Sequence, residues 1–207
     1  MTHTSMEERI TFTAEAIEIE GLLQKNSEAS GVVITHPHPL YGGNMHNNVV
    51  ETVAHAYQQR GYSTLRFNFR GVGGSQGNYS DGIGEQEDVR AAIAYLADLG
   101  LKQIDLAGYS FGAWVIGNLS CAGDGIANMV MVSPPVAFID FGPLSALGCL
   151  KLIITGSRDD IAPAAMIRQS YRQWNAEARF EVIDGADHFY GGYENKLAQV
   201  LLSHIAS

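Results

Sequence analysis

The sequence has few cysteines, few basic residues and no long apolar segment. Only two of its 207 residues are cysteine, which excludes a disulfide-rich scaffold, and we expect Cys121 and Cys149 to be buried thiols. Lys and Arg number 13 against 22 Asp and Glu, which gives a formal net charge of −9. Nucleic acid and anionic membranes require a positive surface, so this balance argues against both as partners. It favours a neutral or cationic small molecule.

No apolar run approaches the roughly 20 residues that a membrane span needs. The first nine residues also lack the basic and then apolar order of a secretion signal. These two absences predict a cytoplasmic protein. Hydrophobic residues at 46% and charged residues at 17% are typical of a globular chain, and we expect one domain over residues 1–207.

Apolar segments alternate with helical patterns along most of the chain. Residues 10–23 alternate between apolar and polar side chains, which predicts two short antiparallel strands. Later apolar runs of strand length lie at 32–35, 64–69, 104–107, 129–132, 150–155 and 180–183. Helical spacing covers 47–60, 85–99, 111–121, 164–174 and 193–204. The alternation predicts an α/β fold with a mostly parallel, doubly wound sheet, because parallel neighbours require long crossovers.

The strand at 104–107 is followed by Gly-Tyr-Ser-Phe-Gly at 108–112 and then by a helical segment. A serine with glycine two positions to either side is typical of a sharp strand-to-helix turn, where larger side chains collide. Such a turn exposes the Ser110 hydroxyl as a nucleophile and directs the Phe111 amide toward an oxyanion. A glycine-rich turn that merely needs a small polar residue has the same pattern, but the strand and helix around it favour the catalytic interpretation.

A serine hydroxyl needs a base, and the base needs an orienting acid. His188 lies in the glycine-bounded loop 185–192, and an ordinary histidine pKa of about 6.5 suits proton transfer near neutral pH. Asp159 and Asp160 both follow the strand at 150–155, at the end where open α/β sheets build their sites. On this reasoning either aspartate can orient His188. The order serine, aspartate, histidine along the chain is the one expected for such a triad.

The loop after the strand at 32–35 contains His-Pro-His-Pro at 36–39, and we expect it to face the serine. Its backbone would supply a second oxyanion donor. Because the prolines have no amide hydrogen, His38, Leu40 and Tyr41 remain as candidates.

Two other kinds of site have weaker support. His36, His38 and His46 with an aspartate could ligate zinc, but the prolines restrict the backbone and no further ligand is specified. The glycine cluster at 71–77 follows a strand, yet it has neither the G-x-G-x-x-G nor the Walker spacing, and no lysine follows it. We interpret the cluster as a tight turn, and we expect no metal or cofactor.

Four segments together resemble the small bacterial α/β-hydrolases of the dienelactone-hydrolase-like group. They are His-Pro-His-Pro at 36–39, Arg-Phe-Asn-Phe-Arg-Gly-Val-Gly-Gly-Ser at 66–75, Gly-Tyr-Ser-Phe-Gly at 108–112 and Gly-Ala-Asp-His-Phe at 185–189. The resemblance spans nearly the whole chain and implies the α/β-hydrolase fold. In similar proteins the triad acid lies three residues after a glycine and four before a proline, which selects Asp159 between Gly156 and Pro163. Analogy with related hydrolases selects His38 as the loop donor.

The resemblance has one departure that matters, because dienelactone hydrolases proper use cysteine where this chain has Ser110. Their substrate therefore does not carry over. The predicted activity is hydrolysis of a small carboxylic ester by Ser110, His188 and Asp159, with the amides of Phe111 and His38 as oxyanion donors. The irregular segment 133–149, with at most a short helix, leaves no room for a large lid, so we expect accessible substrates. Amide or peptide hydrolysis by the same triad and a non-catalytic binding module are the alternatives.

Overall fold

One mixed sheet of eight strands forms the centre of the structure, in the order β1-β2-β4-β3-β5-β6-β7-β8. The strands are β1 Glu8–Ala14, β2 Ile17–Gln24, β3 Ser30–Thr35, β4 Ser63–Phe67, β5 Gln103–Tyr109, β6 Ile126–Val132, β7 Leu150–Gly156 and β8 Arg179–Ile183. Strand β2 is antiparallel to both β1 and β4, and the later neighbouring pairs are parallel. The computed structural model describes residues 6–142, 144 and 147–205. The predicted, mostly parallel sheet with an antiparallel start is confirmed.

Helices of the described residues cover both faces of this sheet. They are α1 Asn48–Gln59, α2 Ile83–Asp98, α3 Phe111–Gly117, α4 Ala164–Trp174 and α5 Glu194–His204. Helices α1 and α5 pack into one apolar cluster, and α2, α3 and α4 pack into the other. Because both faces are covered, the central strands are buried over most of their residues, which explains their continuous apolar runs. The sheet is doubly wound, as predicted.

Side-chain hydrogen bonds fix where the first two helices begin. Asn47 Oδ1 accepts a hydrogen bond from the Val49 amide at 2.9 Å, at the start of α1. The Glu85 carboxylate accepts one from the Gly82 amide at 2.8 Å, at the start of α2. Both bonds satisfy amides that a helix terminus leaves without a partner.

Two elements are shorter than the sequence pattern predicts. Strand β4 ends at Phe67 rather than at 69, because the Phe69 amide donates to Nε2 of the His36 side chain at 3.0 Å instead of to a neighbouring strand. Helix α3 ends at Gly117 rather than at 121. Gly117 disfavours continuation of the helix, because glycine loses more conformational freedom in a helix than other residues do. The amides of Asn118 and Leu119 donate to carbonyls three residues earlier, as in a turn.

The segment between β6 and β7 forms turns and irregular backbone over its described residues, 133–142, 144 and 147–149, and no helix occurs among them. Residues 143, 145 and 146 lie outside the described part. The connection contains no large lid within the residues described, in agreement with the prediction.

No helix within residues 6–142, 144 and 147–205 has the length and the apolar composition to span a bilayer. Residues 1–5, which belong to the N-terminal stretch interpreted above, and residues 206 and 207 lie outside the described part.

Cys121 and Cys149 form a disulfide, so the expectation of two thiols is wrong. Strand β6 pairs with β7, and this pairing brings the beginning of β7 beside the turn that leads into β6. The Met129 amide donates to the Cys149 carbonyl at 2.7 Å, and the Ile126 amide donates to the Cys121 carbonyl at 2.9 Å. The two cysteines meet because of the sheet order, which their local sequence does not reveal.

The double variant Cys121→Ala/Cys149→Ala is expected to be less stable than the parent by about 3 to 4 kcal/mol, because the bond closes a loop whose ends are 28 residues apart. Urea unfolding followed by tryptophan fluorescence measures the difference. A reductant should lower the midpoint of the parent and leave that of the double variant unchanged. Equal midpoints for both proteins under non-reducing conditions would show that the bond contributes nothing.

Candidate active site

Ser110 occupies a strained turn between β5 and α3. Its backbone has φ 55° and ψ −120°, a conformation that residues other than glycine rarely adopt. A Cβ atom on Gly108 would lie 2.6 Å from the Gly112 carbonyl oxygen, and one on Gly112 would lie 2.7 Å from the His36 carbonyl oxygen. Neither position has room for a side chain. The turn therefore requires both glycines, as the strand-to-helix pattern indicates.

Ser110, His188 and Asp159 form one chain of hydrogen bonds. Nε2 of His188 lies 3.0 Å from Ser110 Oγ, and Nδ1 lies 3.0 and 2.9 Å from the two carboxylate oxygens of Asp159. All three residues are buried, whereas Asp160 is exposed. Of the two adjacent aspartates, the structure brings Asp159 against the imidazole.

The Asp159 carboxylate is fixed by backbone amides as well as by His188. Burial disfavours its charge, but hydrogen bonds from His188 and from the Ala162 amide, at 2.7 Å, hold the pKa of Asp159 below its usual value. The Ile161 amide donates to the same oxygen, Oδ1, at 2.9 Å. The ionised carboxylate accepts the Nδ1 proton of His188, which leaves Nε2 free to accept a proton from Ser110.

Two tyrosines hold the loop that carries His188. The Tyr109 hydroxyl donates to the His188 carbonyl oxygen at 2.7 Å, and the Tyr190 hydroxyl lies 2.8 Å from Ser133 Oγ. Burial raises the pKa of both tyrosines, so both hydroxyls keep their protons. Sequence reasoning missed these two positions. The place of Tyr109 beside the serine in the turn is a signal that could have identified it, whereas the contact of Tyr190 depends on how two loops fold.

Backbone amides of the loop after β3 donate hydrogen bonds to His38. The Tyr41 amide donates to the His38 carbonyl at 3.1 Å, and the Leu40 amide donates to Nδ1 of the His38 ring at 3.2 Å. Within the described residues, no acceptor pairs with the His38 amide. The Phe111 amide is the first of α3, where no acceptor exists within the helix. Of the three loop candidates, two amides are thus engaged and that of His38 remains available.

His36 connects this loop to the end of β4. Its Nε2 accepts a hydrogen bond from the Phe69 amide at 3.0 Å, and its Nδ1 donates one to the Pro37 carbonyl at 2.7 Å. Burial lowers the pKa of His36 to about 4, so the imidazole is neutral. Backbone groups occupy both ring nitrogens, which leaves no nitrogen of His36 for the alternative zinc site with His38 and His46.

Acid should destabilise the protein through His36. Because its folded pKa of about 4 lies below the unfolded value of 6.5, the stability that the neutral ring provides is complete above pH 6.5 and is lost as the pH falls through 4. The full effect is on the order of 3 kcal/mol. An asparagine cannot gain a proton in this pH range, so His36→Asn should lack this loss, whatever its stability at neutral pH. Urea unfolding of both proteins from about pH 7 to pH 4 measures it.

Asp105 titrates in the same range with the opposite sign, since burial raises its pKa to about 6. Comparison of variant and parent at each pH cancels this contribution. Identical pH dependence in the two proteins would refute the assignment to His36.

The glycine cluster at 71–77 contacts the neighbouring strand β2. The Gly74 amide donates to Oε1 of Glu20 at 2.6 Å, and Ser75 Oγ accepts a hydrogen bond from the Glu20 amide at 3.0 Å. A carboxylate of the chain itself therefore lies against these amides. The arrangement agrees with a tight turn rather than with a phosphate-binding loop.

A cavity of about 830 Å³ opens above Ser110 and His188. Its walls come from the loops that follow β3 and β6, from Ile161 after β7 and from the His188 loop. Phe111 and His38 belong to the same lining. The predicted nucleophile, base and oxyanion donors thus share one cavity, and a substrate in it can contact all of them.

Comparison with known proteins places the chain in a family. Residues 32–200 match the model of the alpha/beta hydrolase family. An uncharacterized protein of Rickettsia prowazekii is 36% identical over 194 residues, which cover 88% of this chain and 82% of that protein. An alpha-beta serine hydrolase homologue from Coxiella burnetii superposes with a TM-score of 0.90 at 32% identity, over 99% of this chain and 100% of the other. A lidless serine hydrolase from Xanthomonas campestris gives a TM-score of 0.87 at 25% identity, over 96% and 93% of the two chains. The chain belongs to the α/β hydrolase family.

Proposed function

We propose that this protein is a serine hydrolase that cleaves small carboxylic esters through an acyl-enzyme. The observation that carries the proposal is the hydrogen-bonded chain from Ser110 Oγ through His188 to Asp159. A hydroxyl 3.0 Å from an imidazole whose other nitrogen is held by a buried carboxylate is the arrangement that activates serine. The family and the similarity to serine hydrolases support the same class of reaction.

In the first half of the reaction, Ser110 Oγ attacks the ester carbonyl carbon and transfers its proton to Nε2 of His188. Asp159 stabilises the resulting imidazolium through Nδ1. The carbonyl oxygen becomes an oxyanion and accepts hydrogen bonds from the amides of Phe111 and His38. The intermediate then expels the alcohol, which leaves with the proton from Nε2, and the acyl group remains on Ser110.

In the second half, water takes the place of the alcohol. His188 removes a proton from the water as it attacks the acyl carbon, and the same two amides stabilise the second oxyanion. Collapse of this intermediate returns the proton to Ser110 Oγ and releases the carboxylic acid. The cycle needs no group beyond these side chains, the two amides and water.

A fluorophosphonate probe tests the proposal directly, because it reacts with serines that an adjacent base activates. We expect stoichiometric labelling of Ser110 at neutral pH and none in Ser110→Ala, as read by intact-protein mass spectrometry. Absence of labelling in the parent would favour a non-catalytic binding module.

Rates on 4-nitrophenyl acetate and on aminoacyl 4-nitroanilides separate ester hydrolysis from amide hydrolysis. Faster cleavage of the anilides would replace the ester by an amide as the proposed substrate.

A cytoplasmic location is part of the proposal, and the Cys121–Cys149 pair offers a test of it. Cytosolic reductants keep most protein disulfides open, whereas oxidising compartments preserve them. Cys149 is buried, so cells are quenched in acid and the protein is alkylated after denaturation; both cysteines should then be modified if the protein is cytoplasmic. Protection of both from alkylation would indicate an oxidising compartment.

A further inference from the structure

The cavity above Ser110 has no charged wall. Among the residues that the structure describes, no aspartate, glutamate, lysine or arginine contributes to its lining. Its titratable side chains are His38, His188, Tyr41 and Tyr109. Burial lowers the pKa of His38, which keeps that ring neutral at neutral pH. A substrate that carries a carboxylate or an ammonium group therefore finds no opposite charge inside the cavity.

Three aromatic side chains that line this cavity are largely exposed to solvent. We call Tyr41, Phe138 and Phe189 the aromatic collar, and they are 88%, 75% and 65% exposed. Single exposed apolar side chains are ordinary, but several around one cavity mark a binding surface. Aromatic side chains add area at little entropic cost, because each has only two rotatable side-chain bonds.

The inner wall beside the collar is aliphatic. Pro135, Ile139 and Ile161 contribute to it. Burial of apolar substrate surface against such groups contributes about 25 cal/mol per Å². Binding energy at this site is therefore available to apolar groups, and neutral polar side chains of the lining such as Asn47 and Tyr41 offer hydrogen bonds but no charge.

The charges that act on two of the lining side chains, His38 and Tyr109, are carboxylates. Asp81 and Glu85 act on the His38 ring, and Asp159 and Asp187 act on Tyr109. The whole chain carries a formal net charge of −9. An anionic substrate would approach against this field and lose its hydration in a cavity that offers no cation.

On the basis of the proposed hydrolase function, we propose that the substrate is a neutral ester whose apolar body lies against the aromatic collar, and that esters bearing a carboxylate are rejected. The cavity accepts the uncharged portion beside the reactive carbonyl. The cavity rejects charged esters because it offers no opposite charge, and it favours apolar esters because the collar provides apolar surface.

A matched pair of esters tests the charge selectivity. The methyl 4-nitrophenyl diester of adipic acid and its mono-4-nitrophenyl ester share the leaving group and the chain, and they differ only in a terminal methyl ester or carboxylate. At low salt and about pH 7.5, we expect kcat/KM to be at least about tenfold higher for the neutral diester. Equal rates, or a preference for the anion, would overturn the proposal.

Phe138 is suited to a gain-of-function test, because its side chain is exposed and its substitution does not disturb the core. Phe138→Arg should shift the ratio of the two kcat/KM values at least about fivefold toward the anionic ester. Phe138→Gln, the neutral polar control, should keep the ratio of the parent. An arginine variant with an unchanged ratio would contradict the proposed path of the substrate past the collar.

The collar itself is tested by the triple variant Tyr41→Ala/Phe138→Ala/Phe189→Ala. KM for 4-nitrophenyl benzoate should rise at least about fivefold and KM for 4-nitrophenyl acetate less than about twofold, since the acetyl group offers far less apolar surface to the collar than the benzoyl group does. Leu99→Ala removes an exposed apolar side chain outside the cavity lining and should alter neither value. An unchanged KM for the benzoate in the triple variant would remove the collar from substrate binding.

These outcomes distinguish failure of the proposed function from failure of the proposed substrate class. If the parent protein cleaves no ester and the fluorophosphonate does not label Ser110, the proposed function fails, and the substrate class fails with it. If labelling and ester cleavage occur but the diester and the monoester react equally, only the substrate class is wrong.

Discussion

Ser110→Ala is expected to lower kcat on 4-nitrophenyl acetate by about a million-fold. In the proposed mechanism, alanine removes the atom that attacks the carbonyl, and the imidazole at 3.0 Å then has no proton to accept. The amides of Phe111 and His38 remain in place, so residual acceleration measures what the oxyanion donors contribute without the nucleophile. Stopped assays over several hours with the purified variant measure the residual rate.

The fold should survive this substitution, because the strained backbone at Ser110 accepts alanine no worse than serine and the hydroxyl bonds only to His188. Ser203→Ala makes the same chemical change at an exposed position on α5, outside the cavity lining, and should leave kcat within about twofold. Retention of more than a hundredth of the parent rate by the Ser110 variant would mean that another group carries the reaction.

The serine turn could be recognised because its sequence pattern is local, even though the space at Gly112 is limited by His36 of another loop. A strand, a glycine, a serine, a second glycine and a helix follow one another within a short segment, and each glycine is dictated by backbone atoms nearby in the fold. His188 could be recognised for a similar reason, since it lies in the one loop between the last strand and the last helix. Sheet topology brings these two loops to the same edge.

The choice between Asp159 and Asp160 could not be made from local pattern. Both follow the same strand, and the side chain that enters the site is decided by the turn after β7. In that turn the Asp159 amide donates to the Gly156 carbonyl at 3.3 Å, and the amides of Ile161 and Ala162 bind the Asp159 carboxylate. A resemblance to known hydrolases selected Asp159, and the position of its carboxylate beside His188 agrees with that selection.

The disulfide and the aromatic collar lie beyond sequence reasoning for a physical reason. Cys121 and Cys149 meet through the order of strands, and Tyr41, Phe138 and Phe189 meet through the paths of three separate loops. Hydrophobic periodicity predicts strands and helices because it reflects which face is buried. It carries no information about loops that are exposed, and the substrate cavity is built mainly from those.

Asp159→Asn is expected to lower kcat/KM on neutral esters by about ten thousand-fold. The amides of Ile161 and Ala162 both bind Oδ1, so the asparagine must direct its carbonyl oxygen to them and its amide group to the position of Oδ2. That position lies 2.9 Å from Nδ1 of His188. A donor there favours the tautomer in which Nδ1 is the acceptor and the ring proton lies on Nε2, which then cannot accept the proton of Ser110. The neutral carbonyl oxygen at the Oδ1 position, 3.0 Å from Nδ1, also stabilises an imidazolium less than a carboxylate does. Initial rates on 4-nitrophenyl acetate across about pH 6 to pH 9 measure the loss.

Asp160→Asn is the matched control, because it removes the same charge one residue away from an exposed position and should leave kcat/KM within about twofold. The pair separates orientation of the imidazole from the general effect of a nearby negative charge, which both substitutions reduce. Since the pKa of Asp159 lies below its usual value, the parent carboxylate stays ionised across the measured range, and the loss in Asp159→Asn should not be recovered at high pH. Equal losses in the two variants would assign the effect to charge alone and remove Asp159 from the triad.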